Sequence, residues 1–329
     1  MISVHMDAKV SLDLIRLSLP VIERWCNRFS TSREFLSPGK SGKSLFSLVV
    51  CGGMALNCHL AKPNPTRDLD LKLVYNRPIA QGDFWHHCVN VFNPLRTRIM
   101  LEIKRELNGY IASNRELFDN LQPFIEEPCE CLTVGINYKY PYLIYGQRDS
   151  LKCAARYPNM VHMVYSILYH AKGEENPTSL IDLSMFLNIN NPDHLNGRTL
   201  ENGLYLDWSD TSGHGTGNVV PFVYVKLNDC RVRVAAIGFV LCDLHWLSFL
   251  HHKEEKREAS KQKMQLLIDE LPSGMREQLS PFLTTDPRNQ NSADRELLLR
   301  QLRLMSLQQI NGKIPVYNYW EVGTPVEHL

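Results

Sequence analysis

Two aspartates separated by one leucine, Asp68 and Asp70 in TRDLDLKL, are the residues of this chain best suited to do chemistry. In an extended strand, residues two apart point to the same face, so both carboxylates would project side by side. Like charges held that close raise each other's pKa unless a cation sits between them. Paired hard oxygens of this kind are what Mg2+ or Mn2+ accepts, together with water and substrate phosphates. Shortly upstream, Gly52-Gly53 closes the apolar run LFSLVVC and opens a short helical stretch, MALNCHLA. Glycine lets a backbone approach a ligand closely, and a helix N-terminus favours anions. One half of the stretch suits phosphate and the other suits metal, which together make a nucleotide site. Each half alone is ordinary, since Gly-Gly closes many tight turns and an Asp-x-Asp often marks a solvated strand edge.

The stretch GGMALNCHL…TRDLDLKL resembles the signature of the polymerase-β-like nucleotidyltransferase superfamily. It is most similar to the poly(A) polymerase-type proteins of large DNA viruses. The resemblance covers about 25 of 329 residues. It implies that Gly52 and Gly53 contact the triphosphate and that Asp68 and Asp70 bind two catalytic Mg2+ or Mn2+ ions. ATP is then the substrate, and AMP passes without a template to an RNA 3′ end as pyrophosphate leaves, a step of mRNA processing. A third carboxylate on a neighbouring strand is expected, because one cation activates the attacking hydroxyl while the other steadies the leaving pyrophosphate. Asp182 is the first candidate, an acidic residue interrupting the apolar strand SLIDLSMF. Burying an unpaired carboxylate there is costly, so the position suggests a ligand or a buried ion pair, the plain alternative being a solvent-facing strand end. Asp207 in GLYLDWSD is the rival. Lys72 alternates onto the face of Asp68 and Asp70, and reads either as a nucleotide-binding residue or as a neutralising neighbour.

Two other readings stay open. A protein of the same fold could transfer a nucleotide to protein, tRNA or a small molecule, as toxin-type and antibiotic-modifying members do. An inactive copy could serve as a partner subunit, with no third carboxylate near Asp70.

The formal charge is +1, with 44% hydrophobic and 22% charged residues, so no strong global field draws the chain to nucleic acid or acidic membranes. An RNA partner would need a local basic patch. Lys253, Lys256, Arg257, Lys261 and Lys263 cluster on one helical stretch, but Glu254, Glu255 and Glu258 interleave with them, as on a solvated helix face. Nine cysteines contain no CxxC pair, which argues against zinc and suits reduced thiols in a cytoplasmic protein, in host cytoplasm or a virion if viral. The N-terminus carries Asp7, Lys9 and Asp13 where a signal peptide needs apolar residues, and the apolar run at 234–242 is too short to cross a bilayer. No membrane association is expected.

The elements that must position these residues follow from periodicity. Residues 11–29 read as a helix kinked or broken at Pro20, 45–51 as a buried strand, and 69–75 as an alternating strand. A mostly helical stretch covers 82–120. Strand candidates follow at 131–138, 142–146, 161–169, 179–187 and 219–227, then helices at 234–252, 254–271 and 292–308. The expected fold class is α+β: a nucleotidyltransferase-type mixed sheet with flanking helices, followed by a helical C-terminal region. The expected division is a catalytic domain over 1–215 and a mainly helical domain over 216–329.

Overall fold

Residues Phe46–Cys51, FSLVVC, form strand β1, and all six are buried. A strand apolar on both faces belongs in the middle of a sheet. In the computed structural model, which describes residues 8–38, 43–64, 66, 68–80, 84–114, 134–137, 164–169, 178–190, 220–251 and 253–317, that is where β1 lies. The other strands are β2 (Leu69–Ala80), β3 (Val134–Asn137), β4 (Val164–Tyr169), β5 (Thr178–Asn190), β6 (Phe222–Leu227) and β7 (Cys230–Ala235). They form one seven-stranded mixed sheet in the order β3-β4-β5-β2-β1-β7-β6. Strand β2 runs antiparallel to β1 and parallel to β5, so it lies between the first and second halves of the sheet.

Helices cover both faces. Helix α1 (Ala8–Thr31) packs against β1, β7 and α4 (Asn93–Ser113), the latter preceded by α3 (Phe84–His87) and a π-helical stretch, Cys88–Phe92. Between α1, α4 and the sheet lies an aromatic cluster. Phe46 of β1 meets Phe29 of α1 at 5.7 Å between ring centroids, Phe92 at 5.6 Å, and its cross-strand partner Tyr75 at 5.3 Å. Such tilted and edge-on pairs add to the area that the rings bury. By strand alternation, Phe46, Leu48 and Val50 share this face with Leu71, Leu73 and Tyr75 of β2. The opposite face of β2 therefore carries Asp70 and Lys72. Over it lie α2 (Gly52–Asn57) and the apolar α5 (Ile237–Leu250), backed by α6 (Glu254–Asp269) and α8 (Ser292–Ile310), with α7 (Ser273–Leu283) between those two in sequence.

The α+β class, mixed sheet, flanking helices and helical C-terminal region match the expectation from sequence. Several elements differ in detail. Helix α1 runs unbroken through Pro20, whose ring is exposed. The helix expected over 234–252 starts at Ile237, because Cys230–Ala235 is strand β7. β6 and β7 form a hairpin whose turn residues, Asn228 and Asp229, both take positive φ, as a tight hairpin connection demands. This hairpin extends the sheet beyond β1, and four helices follow it. Helix α7 was not expected, and the strand candidate at 142–146 lies outside the described residues.

Candidate active site

The site starts at the junction of β1 and α2. Cys51 ends the strand in extended backbone, and Gly52 turns the chain into the helix with φ of 58°. That is the left-handed region, which glycine enters without the steric cost other residues meet. Cys51 is the cross-strand partner of Asp70, so Gly52 comes out of the strand beside the Asp70 side chain. A Cβ on Gly52 would overlap the Asp70 carboxylate. A Cβ on Gly53 would stand 2.8 Å from the Thr66 hydroxyl oxygen. Both glycines thus do more than keep a backbone bare. They make room for the segment that carries the aspartates.

The connection from α2 to β2 is fixed by its own polar residues. Asn57, buried at the end of α2, donates through Nδ2 to the Asn64 carbonyl at 2.7 Å and accepts from the Asn64 N–H at 2.8 Å. The Thr66 hydroxyl donates to the Asp68 carbonyl at 3.2 Å. These bonds bring the chain back so that Thr66 and Asp70 lie against the glycines.

Strand β5 completes the surroundings. In the parallel β2–β5 ladder Asp70 is the register partner of Asp182, and Lys72 that of Ser184. Hydrogen-bonded strands lie about 5 Å apart, so the two aspartates are immediate neighbours on one face. Asp68, Asp70 and Asp182 each keep part of their surface in solvent, whereas Lys72 is 7% exposed. Burial pushes the Asp70 carboxyl up to about 7, with the charges of Asp68 and then Asp182 adding to the rise and Lys72 opposing it.

Sequence reasoning missed a fourth carboxylate, Asp243 on α5. It acts electrostatically on Lys72, Asp70 and Cys51. Burial alone would lower the Lys72 pKa, but Asp243 leads the groups that outweigh it, and the net shift is upward. The signal was in the sequence: Asp243 interrupts the apolar run IGFVLCDLHW just as Asp182 interrupts SLIDLSMF. The rival carboxylate Asp207 lies outside the described residues, as do the aromatic stretch at 138–146 and the Gly-rich loop at 209–218.

A chain of buried hydrogen bonds holds α5 and the segment after α2 together. Gln309 of α8 accepts through Oε1 from the Ile237 N–H, the first of α5, at 2.8 Å. Its Nε2 lies 3.0 Å from His59 Nδ1, and His59 Nε2 lies 2.8 Å from the Ala235 carbonyl. A single neutral tautomer satisfies all of these contacts, with Nε2 donating to Ala235 and Nδ1 accepting from Gln309. Gly238 lets the two helices cross closely, since a Cβ there would overlap the Leu302 carbonyl of α8.

Among solved structures, the chain is similar to an antigenic nucleotidyltransferase-like protein from Paracoccidioides brasiliensis. The identity is 9% and the TM-score 0.30, over 78% of this chain and 76% of that one. No family model matches the chain, and no curated protein does.

Among the described residues, no three His, Cys, Asp or Glu side chains form a group that could cage a metal ion on its own. Mg2+ and its like ask for less, being held by one or two carboxylates with water and substrate phosphates filling the remaining positions. Asp68 and Asp70 offer such hard oxygens, and burial together with the neighbouring carboxylates outweighs Lys72 in raising the Asp70 carboxyl. The donor set fits a divalent cation that arrives with a phosphate substrate. Among the described residues, no helix is long and apolar enough to cross a membrane.

Proposed function

We propose that this protein is a metal-dependent nucleotidyltransferase that transfers AMP from ATP to an RNA 3′ end and releases pyrophosphate, a poly(A) polymerase-like reaction. The observation that carries the reading is the register of Asp70 against Asp182, with Asp68 two residues before Asp70 and the bare turn of Gly52 beside it. Asp68 and Asp70 would hold Mg2+ or Mn2+, and Asp182 is the third carboxylate. When bound, the cations supply Lewis acidity and neutralise phosphate charge. Gly52 and Gly53 would present the backbone of the β1–α2 turn to the triphosphate. The residues act by positioning the α-phosphate for in-line attack, which supplies most of the catalysis in such transfers. Residues 1–215 form the catalytic part in this reading, and 216–329 a mainly helical part that supports it from the α5 side.

A second acceptor class is favoured by one observation. On α6 two of the basic residues are engaged locally, Arg257 with Glu254 and Lys261 with Glu258. Neutralised charges bind an RNA backbone weakly, since affinity there comes from phosphate contacts. A protein, tRNA or small-molecule hydroxyl is the alternative acceptor. Incubation with labelled ATP, Mg2+ or Mn2+ and an oligoadenylate primer tests both, beside a D68A/D70A control. Primer extension that vanishes in the control supports the RNA reading. Label passing to another acceptor supports the second, and labelling unchanged in the control overturns both.

A further inference from the structure

We propose that the β6–β7 hairpin, at the edge of the sheet, binds single-stranded RNA, with Arg231 meeting phosphate and Tyr224 stacking on a base. The choice of RNA rests on the RNA-acceptor reading above. The surface itself is separate from that site, since β6 lies three strands from β2 in the sheet order.

The alternation of β6 buries Val223, Val225 and Leu227 and leaves Phe222, Tyr224 and Lys226 on the other face. The β7 register sets Arg233 opposite Tyr224 and Arg231 opposite Lys226. Long side chains so placed reach both their direct and their diagonal neighbours. The Arg231 guanidinium carbon lies 4.3 Å from the centre of the Tyr224 ring, and that of Arg233 lies 4.9 Å from the centre of Phe222. Phe222 and Tyr224 meet edge-on at 5.6 Å between centroids. Guanidiniums and rings are thus interleaved on one face of the hairpin.

Carboxylates do not neutralise these arginines. Arg233, 4% exposed, donates through Nη2 to the Ser30 hydroxyl at 2.6 Å and through Nε to the Tyr224 hydroxyl at 3.4 Å, while its Nη1 is buried without a hydrogen-bond partner. Arg231 is exposed, and among the described residues its guanidinium makes no hydrogen bond or ion pair. Glu23 accepts from its backbone N–H instead. Lys226 does have a carboxylate, Asp229 at 2.9 Å. An arginine stacked on a ring keeps the donors along its guanidinium edge for a phosphate. Tyr224 is 36% exposed, which leaves ring surface for a base. An acidic peptide would meet the charge and leave the ring unused, whereas a nucleotide uses both. A duplex hides the faces of its bases, so a single strand is the form that fits.

Fluorescence anisotropy with a short labelled oligoadenylate RNA, in chelator so that no cation bridges Asp68 and Asp70 to phosphate, tests this on the full chain. The variants are R231E, R231Q and Y224A, with K263E on α6 as a control of equal charge change at another exposed position. R231E is expected to bind on the order of tenfold more weakly, and R231Q to flatten the slope of log affinity against log salt by about 0.7. Y224A should weaken binding by roughly fivefold or more through the lost stack. K263E should stay within about twofold of the parent, since it makes none of these contacts. Arg231 is exposed, so R231Q stays informative if Y224A fails to fold. No binding by the parent, parental affinity in R231E, or an equal loss in K263E would each overturn the proposal. So would equal affinity for a duplex of the same length, or tighter binding of the same strand as DNA. A parent chain that binds the strand through Arg231 yet never extends it would fell the transferase reading and leave this surface standing.

Discussion

Gly52 and Asp70 occupy one space: the carboxylate of Asp70 lies where a side chain on Gly52 would have to be. Replacing Gly52 with alanine must move that carboxylate and also force a methyl-bearing residue to a φ of 58°. The backbone penalty alone is about 1 kcal/mol. Gly52→Ala is expected to lower the melting temperature and to reduce nucleotide transfer by about a hundredfold or more, as a displaced catalytic group does. A steady-state assay with a thermal melt checks both. Transfer at the parental rate would show that Asp70 need not stay where it is.

Asp182 and Asp207 are separated by a direct comparison. Asp182 is the register partner of Asp70, so Asp182→Asn should lower kcat by about a hundredfold or more while the protein stays folded. With that role filled by Asp182, Asp207→Asn is expected to leave kcat within about threefold. The reverse result would pass the third-carboxylate role to Asp207.

Asp70 should act against stability when no cation is present. Burial, then Asp68 and Asp182, raise its folded-state pKa to about 7 from 3.8. A carboxyl shifted upward stabilises the fold below its unfolded pKa, and that contribution is lost as pH rises through 7. Asp70→Asn removes the penalty. In chelator, the variant should melt higher than the parent at pH 8 and by a smaller margin at pH 5, while its transfer activity disappears. A margin that does not widen with pH would contradict the crowding of charge at Asp70.

His59 has the opposite sign. Burial drives its folded-state pKa down to about 4 from 6.5, partly offset by the hydrogen bond to Ala235. The neutral ring is what the fold binds, so its contribution is complete above pH 6.5 and is lost as pH falls through 4. The slope cannot exceed about 1.4 kcal/mol per pH unit, giving a loss of about 3 kcal/mol over that window. Urea unfolding at several pH values should show this slope in the parent and a flatter one in His59→Gln. An equal slope in both would place the titration elsewhere.

The central strands were readable because their local signals agree. FSLVVC is apolar throughout, LDLKLVY alternates, and Gly52 marks the turn after the first. The parallel pairing of β2 with β5 was not readable, because loop closure over so long a span leaves no local trace. β7 was hidden by continuity. CRVRVA runs directly into AIGFVLC with no glycine or proline at the strand–helix junction until Gly238, so one apolar run reads as one helix. The hairpin signal was the Asn228-Asp229 pair, whose positive φ values only the backbone displays. Asp243 escaped for a related reason. A carboxylate in an apolar helix gains meaning once its charge is set against that of Lys72.

The ladder between β2 and β5 also sets an order of events during synthesis. Asp182 follows Asp70 by 112 residues. At about 5–20 residues per second, the Asp68–Asp70 pair leaves the ribosome several seconds before its strand partner exists. β7 and α5, the latter carrying Asp243, come later still. A nascent chain therefore passes through a long interval with β2 lacking its neighbour on the β5 side and its acidic pair open to solvent. Competence to take up a cation with a triphosphate would be among the last properties the growing polypeptide acquires.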